Sequence, residues 1–305
     1  MTISSVGGFS PQVTRERSVA DLLGWARALF EPAARRWVDS LGPKSRQVAG
    51  YQLGWWDASG TAANTDGQAL RPALALLCAR AVGGTAEDAV PAAVGAEFVH
   101  AFSLMHDDVM DRDPMHRGHA AHKAAWTVFG TPATLAAADE LMSLAFEGFF
   151  RHGENVDTAC AAAAALGQAV ARMARGQALD HALEHTYAVT IEQCLWMEAD
   201  KTASLLAAAT RLGALYGSAT TEAADRLTTF GEHLGRASAL AEQGADMGWA
   251  RQCVSWHLRS ALAQLRKQSE HTADHAADHA ARTALAELAV LARFVVSRAL
   301  RGPDA

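Results

Sequence analysis

Proline is scarce, with 8 in 305 residues, and tyrosine scarcer still at 3. No segment alternates apolar and polar residues as a half-buried strand would, so nothing supports a sheet architecture. The four cysteines, Cys78, Cys160, Cys194 and Cys253, are far apart and form no CxxC pair. That spacing excludes a disulfide framework and a cysteine-ligated zinc site, and suits buried thiols in a reducing cytoplasm. There is no lysine- or arginine-rich run, and the net charge is −6. Nucleic acid and an electrostatic hold on anionic membranes are therefore not expected as partners. The opening stretch MTISSVGGFSPQVTRERS lacks the apolar segment of a signal peptide. No apolar run reaches membrane-spanning length, because polar residues interrupt each one at helical spacing. The expectation is a soluble, cytoplasmic protein with no membrane span.

Alanine and leucine dominate what is present, and half of the residues are hydrophobic against a fifth charged. This composition predicts an all-α chain. Helices are expected near 19–40, 44–56, 71–82, 86–112, 132–150, 156–187, 190–216, 219–247, 250–268 and 280–301. Residues 1–17 read as a flexible N-terminal arm and 18–305 as a single helical domain. In HTADHAADHAARTA, His271, His275 and His279 recur every four residues and could line a metal ladder. The interleaved Asp274 and Asp278 fit a plain solvated face better.

The stretch FSLMHDDVMDRDPMHRGHAAHK, from Phe102, concentrates the chemistry. On a helix Asp107 and Asp111 point the same way, with Asp108 alongside. Carboxylates often decorate a helix end without any chemical role. Here they follow the apolar run FVHAFSLM, and Arg117 follows in a glycine-containing turn. Clustered carboxylates suit a hard, oxygen-seeking cation, and Mg2+ is the usual choice where it bridges to phosphate oxygens. Arg117 adds a bidentate phosphate donor.

HDDVMDRDPMHRG resembles the first aspartate-rich motif of the trans-isoprenyl diphosphate synthases, the polyprenyl synthetase family. DGQALRPALALLCARAVGG from Asp66, WTVFGTPATLAAADEL from Trp126, GQALD from Gly176, DKTASLLAAATRLGA from Asp200 and FGEHLG from Phe230 extend the resemblance in order. It covers about Tyr51 to Leu240. The resemblance implies the isoprenoid synthase (terpene synthase-like) helical bundle around a central cavity, assembled as a homodimer. It also implies an Mg2+-dependent class I enzyme that ionises an allylic prenyl diphosphate, with up to three ions, and transfers the prenyl group.

Carried over by position, Asp107, Asp108 and Asp111 become metal ligands, and Lys201 and Thr202 meet the allylic diphosphate. Gln177 approaches the prenyl chain, with Asp180 close by. Arg71, His100 and Arg117 fall where the family holds isopentenyl diphosphate. Phe102, with the small Ser103 beside it, stands where a bulky residue floors the growing chain, although core packing would explain it equally.

Several positions depart from the pattern. Gln68 replaces the acceptor-binding lysine and Ala69 follows it, while His116 replaces the first arginine of an R-R pair. The second aspartate motif has become LGRASALAEQGAD, leaving Glu242 and Asp246 as the carboxylates that could still take metal. The lysine loop that follows in the family has no counterpart. A phosphate-contacting cation lost from a desolvated site costs roughly 2–5 kcal/mol. Two alternatives therefore stay open: a terpene synthase or cyclase that needs no isopentenyl diphosphate, and a non-catalytic subunit that joins an intact synthase as a heteromer. Ser238, Glu242 and Asp246 have the spacing of a terpene synthase metal motif, with different residues. Trp249 and Trp256 could line a cation-stabilising wall, or simply belong to the core.

Overall fold

The computed structural model describes residues 17–63, 69–114, 123–151, 155–184, 186–244, 248–271 and 278–301. The expected arm, up to residue 16, lies outside them, as do His275 and Asp274 of the histidine ladder. The helices are α1 (Val19–Val38), α2 (Pro43–Gln52), α3 (Leu70–Ala81), α4 (Val90–Met110), α5 (Ala125–Phe129), α6 (Thr131–Glu147), α7 (Val156–Glu184), α8 (Ile191–Glu198), α9 (Ser204–Tyr216), α10 (Thr221–Gly244), α11 (Gly248–His271) and α12 (Asp278–Ala299). Among the described residues no strand forms, and Trp56 and Ala62 make one isolated bridge. No described helix is long and apolar enough to cross a membrane.

Local chemistry sets the helix ends. Ser18 caps α1 by accepting from the Asp21 N–H, while Asp21 accepts from the Ser18 N–H in return. The expected helix from residue 86 starts at Val90 instead. Thr85 and Asp88 exchange hydrogen bonds in a separate turn, and Pro91 then opens α4, where no N–H is needed. The helix expected over 44–56 stops at Gln52 because Gly54, at φ 74°, turns the chain back. The Trp56 indole then covers Gly50 and donates to the Gln47 carbonyl at 2.8 Å. The short α5 was not expected.

α3, α4, α9 and α10 form the centre, with α3 packed on both α4 and α9, and α10 on α9 and α11. Their facing sides are built from alanine, leucine and phenylalanine, including the fully buried Phe98, Leu74, Leu77, Leu212, Leu227 and Phe230. Small residues permit the close approach: a methyl group on Gly213 would collide with the Ala75 backbone of α3. Arg17 donates twice to the buried Glu287 of α12, both at 2.7 Å, and Arg80 of α3 lies 3.4 Å from the same carboxylate. These contacts tie the start of α1 to the last helix.

Candidate active site

α4 is buried along its length, with Met105 fully enclosed, and it carries that burial into the aspartate cluster. Asp107 is 8% exposed and Asp108 3%. Asp111 caps the helix, its N–H donating to the Asp107 carbonyl. Arg112 follows in the left-handed region at φ 53° and turns the chain away. The Trp126 indole of α5 donates to the Asp113 carbonyl at 2.7 Å and fixes the returning segment. Two nearly buried carboxylates at a helix C-terminus oppose both desolvation and the negative end of the helix dipole. Such an arrangement calls for cations.

One cation comes from the segment between α8 and α9. The expected single helix over 190–216 is broken there by a π-helical turn, Ala199–Ala203, a distortion that often marks functional positions. Lys201 is central in that turn. Its ammonium lies 3.3 Å from Asp107 Oδ1 and donates to Asp180 Oδ2 of α7 at 2.5 Å. α7 also shapes the turn. A side chain on Gly176 would come within 2.3 Å of the Lys201 backbone nitrogen. Arg172 donates to Asp200 Oδ1 at 2.8 Å and to the Ala199 carbonyl at 3.2 Å. From the other side, Gly235 of α10 leaves room for Ala203.

The carboxylate missed in the sequence is Glu198. It is 4% exposed and accepts from Thr202 Oγ1 at 3.3 Å. Burial pushes its pKa up to about 7, Asp180 and Glu242 add to the rise, and Thr202 and Lys201 oppose it. Glu242 therefore belongs to the same electrostatic neighbourhood, reached from α10. Ser238 donates to it at 3.4 Å. Its pKa is raised by the surrounding protein and lowered by Ser238, Arg71 and Arg298, and its solvent-accessible side moderates the burial effect.

Arg71, half-buried at the start of α3, feels the charges of Glu97 of α4 and of Glu242. Burial lowers its pKa and these two carboxylates raise it. His100 is half-buried on α4, and its carbonyl accepts from Ser103 Oγ at 2.8 Å. Phe102 packs against the core and lies at a tilt to His106, with ring centroids 4.3 Å apart. Gln177 is half-buried on α7. Trp249 packs against the core, whereas Trp256 is 53% exposed beside His233 and His257. Gln68, His116, Arg117 and Asp246 lie outside the described residues.

Asp107 and Asp180 thus meet at Lys201, Asp108 and Asp111 flank Asp107 on and beside α4, and the charges of Lys201, Asp180 and Glu242 act on Glu198. Oxygen donors in excess over protein cations are the donor set that hard divalent ions prefer, and Mg2+ fits it.

Residues 57–240 match the polyprenyl synthetase family. The chain belongs to that family. The match ends two residues before Glu242, where the second aspartate motif departs from the pattern. Among its relatives, the chain is 38% identical over 241 residues to the (2E,6E)-farnesyl diphosphate synthase of Mycobacterium tuberculosis, covering 77% of this chain and 65% of that one. It is 36% identical over 220 residues to the geranylgeranyl diphosphate synthase of the same organism, covering 71% and 61%. The chain therefore spans somewhat less than two thirds of the length of these relatives. The crystal structure of polyprenyl synthetase from Streptomyces coelicolor A3(2) superposes with a TM-score of 0.73 at 30% identity, over 92% of this chain and 100% of that one. The fold of this polyprenyl synthetase family member is the all-α isoprenoid synthase fold.

Proposed function

We propose that this chain is a Mg2+-dependent prenyltransferase acting on an allylic prenyl diphosphate. The observation that carries the reading is Lys201, held between Asp107 and Asp180 on a π-helical turn. Mg2+ held by Asp107 and Asp111, with Asp108 in support and Glu242 and Asp246 as the further carboxylates, would neutralise the charge of the departing diphosphate. Lys201 donates to that diphosphate, and Thr202 lies one residue further along the same turn. The allylic C–O bond breaks with its electron pair on the leaving group. The double bond of isopentenyl diphosphate then forms the new C–C bond and a proton is lost. Arg71, His100 and Arg117 hold this acceptor, and Gln68 and His116 are the altered positions of the substrate-binding set. Gln177 lies along the prenyl chain, and Phe102 with Ser103 limits its length. The family relationship supports a homodimer, and the isolated cysteines support a reducing, cytoplasmic setting.

One observation favours cyclisation as a second reading. The charges of Glu97 and Glu242 act on Arg71, an acceptor-side cation, and oppose the approach of a second diphosphate. Geranyl, farnesyl and geranylgeranyl diphosphates, each supplied with Mg2+ with and without isopentenyl diphosphate, separate the readings. A longer diphosphate formed only with acceptor supports transfer; hydrocarbon or alcohol without acceptor supports cyclisation. No turnover, together with co-purification of an intact synthase, would make the chain a non-catalytic subunit of a heteromer.

A further inference from the structure

Beside the aspartate cluster stands an imidazole. His181, in the last turn of α7, places Nε2 3.7 Å from Asp111 Oδ1. Its Nδ1 lies 3.4 Å from Glu184 Oε2, one helical turn further on. Ligand atoms from Asp111, His181 and Glu184 all fall within 4.8 Å of one another. The distance from Nε2 to Asp111 is too long for a hydrogen bond. It suits two ligands that reach one ion over bonds of about 2.0–2.2 Å. With the proton on Nδ1 directed at Glu184, the Nε2 lone pair would be available to a metal, the usual task of a carboxylate behind a ligating histidine. The three groups come from two elements, the end of α4 and the end of α7, so helical spacing alone does not bring them together.

We propose that Asp111 and His181 share a site for a borderline divalent transition ion such as Co2+ or Zn2+, with Glu184 orienting the imidazole. Imidazole suits these ions, whereas Mg2+ prefers an all-oxygen set. The inference rests on the reading of Asp111 as a metal ligand. Asp111 would then serve both this ion and the Mg2+ assigned above to Asp107 and Asp111.

The test uses the purified full chain and metal chlorides alone, with no prenyl diphosphate. Co2+ and Mg2+ are titrated by calorimetry, and the visible absorption of bound Co2+ is recorded. Most sites bind Co2+ more tightly than Mg2+, so the comparison that decides is wild type against variant. His181→Ala is expected to weaken Co2+ by about tenfold or more and to change its absorption, while Mg2+ affinity stays within about threefold. Glu184→Gln is expected to weaken Co2+ by about tenfold or more with the ligands intact. Co2+ affinity and absorption unchanged in His181→Ala would overturn the site. A His181-dependent Co2+ signal in a protein that transfers no prenyl group with Mg2+ would uphold this site and sink the transfer reading. Transfer with a His181-independent signal would do the reverse.

Discussion

The Lys201 ammonium lies 3.3 Å from Asp107 Oδ1 while it is hydrogen-bonded to Asp180, so one cation joins α4 and α7 through the turn that precedes α9. All three side chains are largely enclosed, so the lysine offsets carboxylate charge that water reaches poorly. Lys201→Gln removes this compensation and, on the proposed function, the donor to the diphosphate. Its kcat/KM in the prenyl transfer assay is expected to fall by about 100-fold or more, the scale for losing one preorganised donor. Thermal unfolding of the metal-free variant should begin at a lower temperature than in wild type.

Divalent ions that bind only the native state raise its stability with concentration. Mg2+ is therefore expected to raise the Tm of the wild type progressively in differential scanning fluorimetry. Asp107→Asn should reduce the shift strongly, because it removes a ligand that faces the cluster. An equal shift in both proteins would place the ion elsewhere.

Gly176 is the contact point between α7 and the backbone of Lys201 and Asp200. Because the nearest neighbours are backbone atoms, the added methyl of Gly176→Ala cannot be accommodated by rotating a side chain. Overpacking of this kind costs about 1–3 kcal/mol, to be read as a lower urea midpoint. Because the displaced backbone carries Lys201, activity should fall more than stability does.

Glu198 makes stability depend on pH with a definite sign. Its folded pKa is about 7 against an ordinary 4.5. Both states are protonated at low pH. As pH rises through 4.5 towards 7, the unfolded chain releases a proton that the folded protein keeps, so stability falls across that window and levels off above it. The span amounts to roughly 3 kcal/mol. In metal-free buffer Glu198→Gln should match wild type near pH 4 and exceed it near pH 8, measured by chemical denaturation.

His257 tilts the balance the other way. Burial, with the neighbouring His233 and Arg236, lowers its pKa from 6.5 to about 4, while Glu232 opposes them. Nδ1 of His257 lies 2.9 Å from Nδ1 of His233. As pH falls below 6.5 the unfolded chain takes up a proton that the folded protein refuses, so stability is lost down to about pH 4. Solvent at the edge of the ring reduces the effect to about 1–3 kcal/mol. His257→Gln should flatten the acid limb of the denaturation profile relative to wild type.

Helices were legible because alanine- and leucine-rich stretches leave little choice of secondary structure, and the aspartate motif because its spacing and surroundings are distinctive. The break at Ala199–Ala203 was not, since WMEADKTASLLAAA holds no glycine or proline to mark it. It forms where Gly176 and Gly235 leave room for the turn on other helices and Arg172 hydrogen-bonds to Asp200 within it. Glu198 was missed because glutamate on a helix ordinarily faces water, although its place three residues before Lys201 was a usable signal. His181 and Glu184 gave only an i, i+3 pair after Asp180, and they matter because α4 ends against them. α5 spans five residues, too few for periodicity to show.

Release of inorganic pyrophosphate from an allylic prenyl diphosphate, measured with Mg2+ and isopentenyl diphosphate present, addresses the central assignment most directly. The wild type is expected to release it only when Mg2+ is present, and Asp107→Asn at a rate about 100-fold lower or less. Release by Asp107→Asn at the wild-type rate, or none from the wild type with any allylic chain length, would contradict the account.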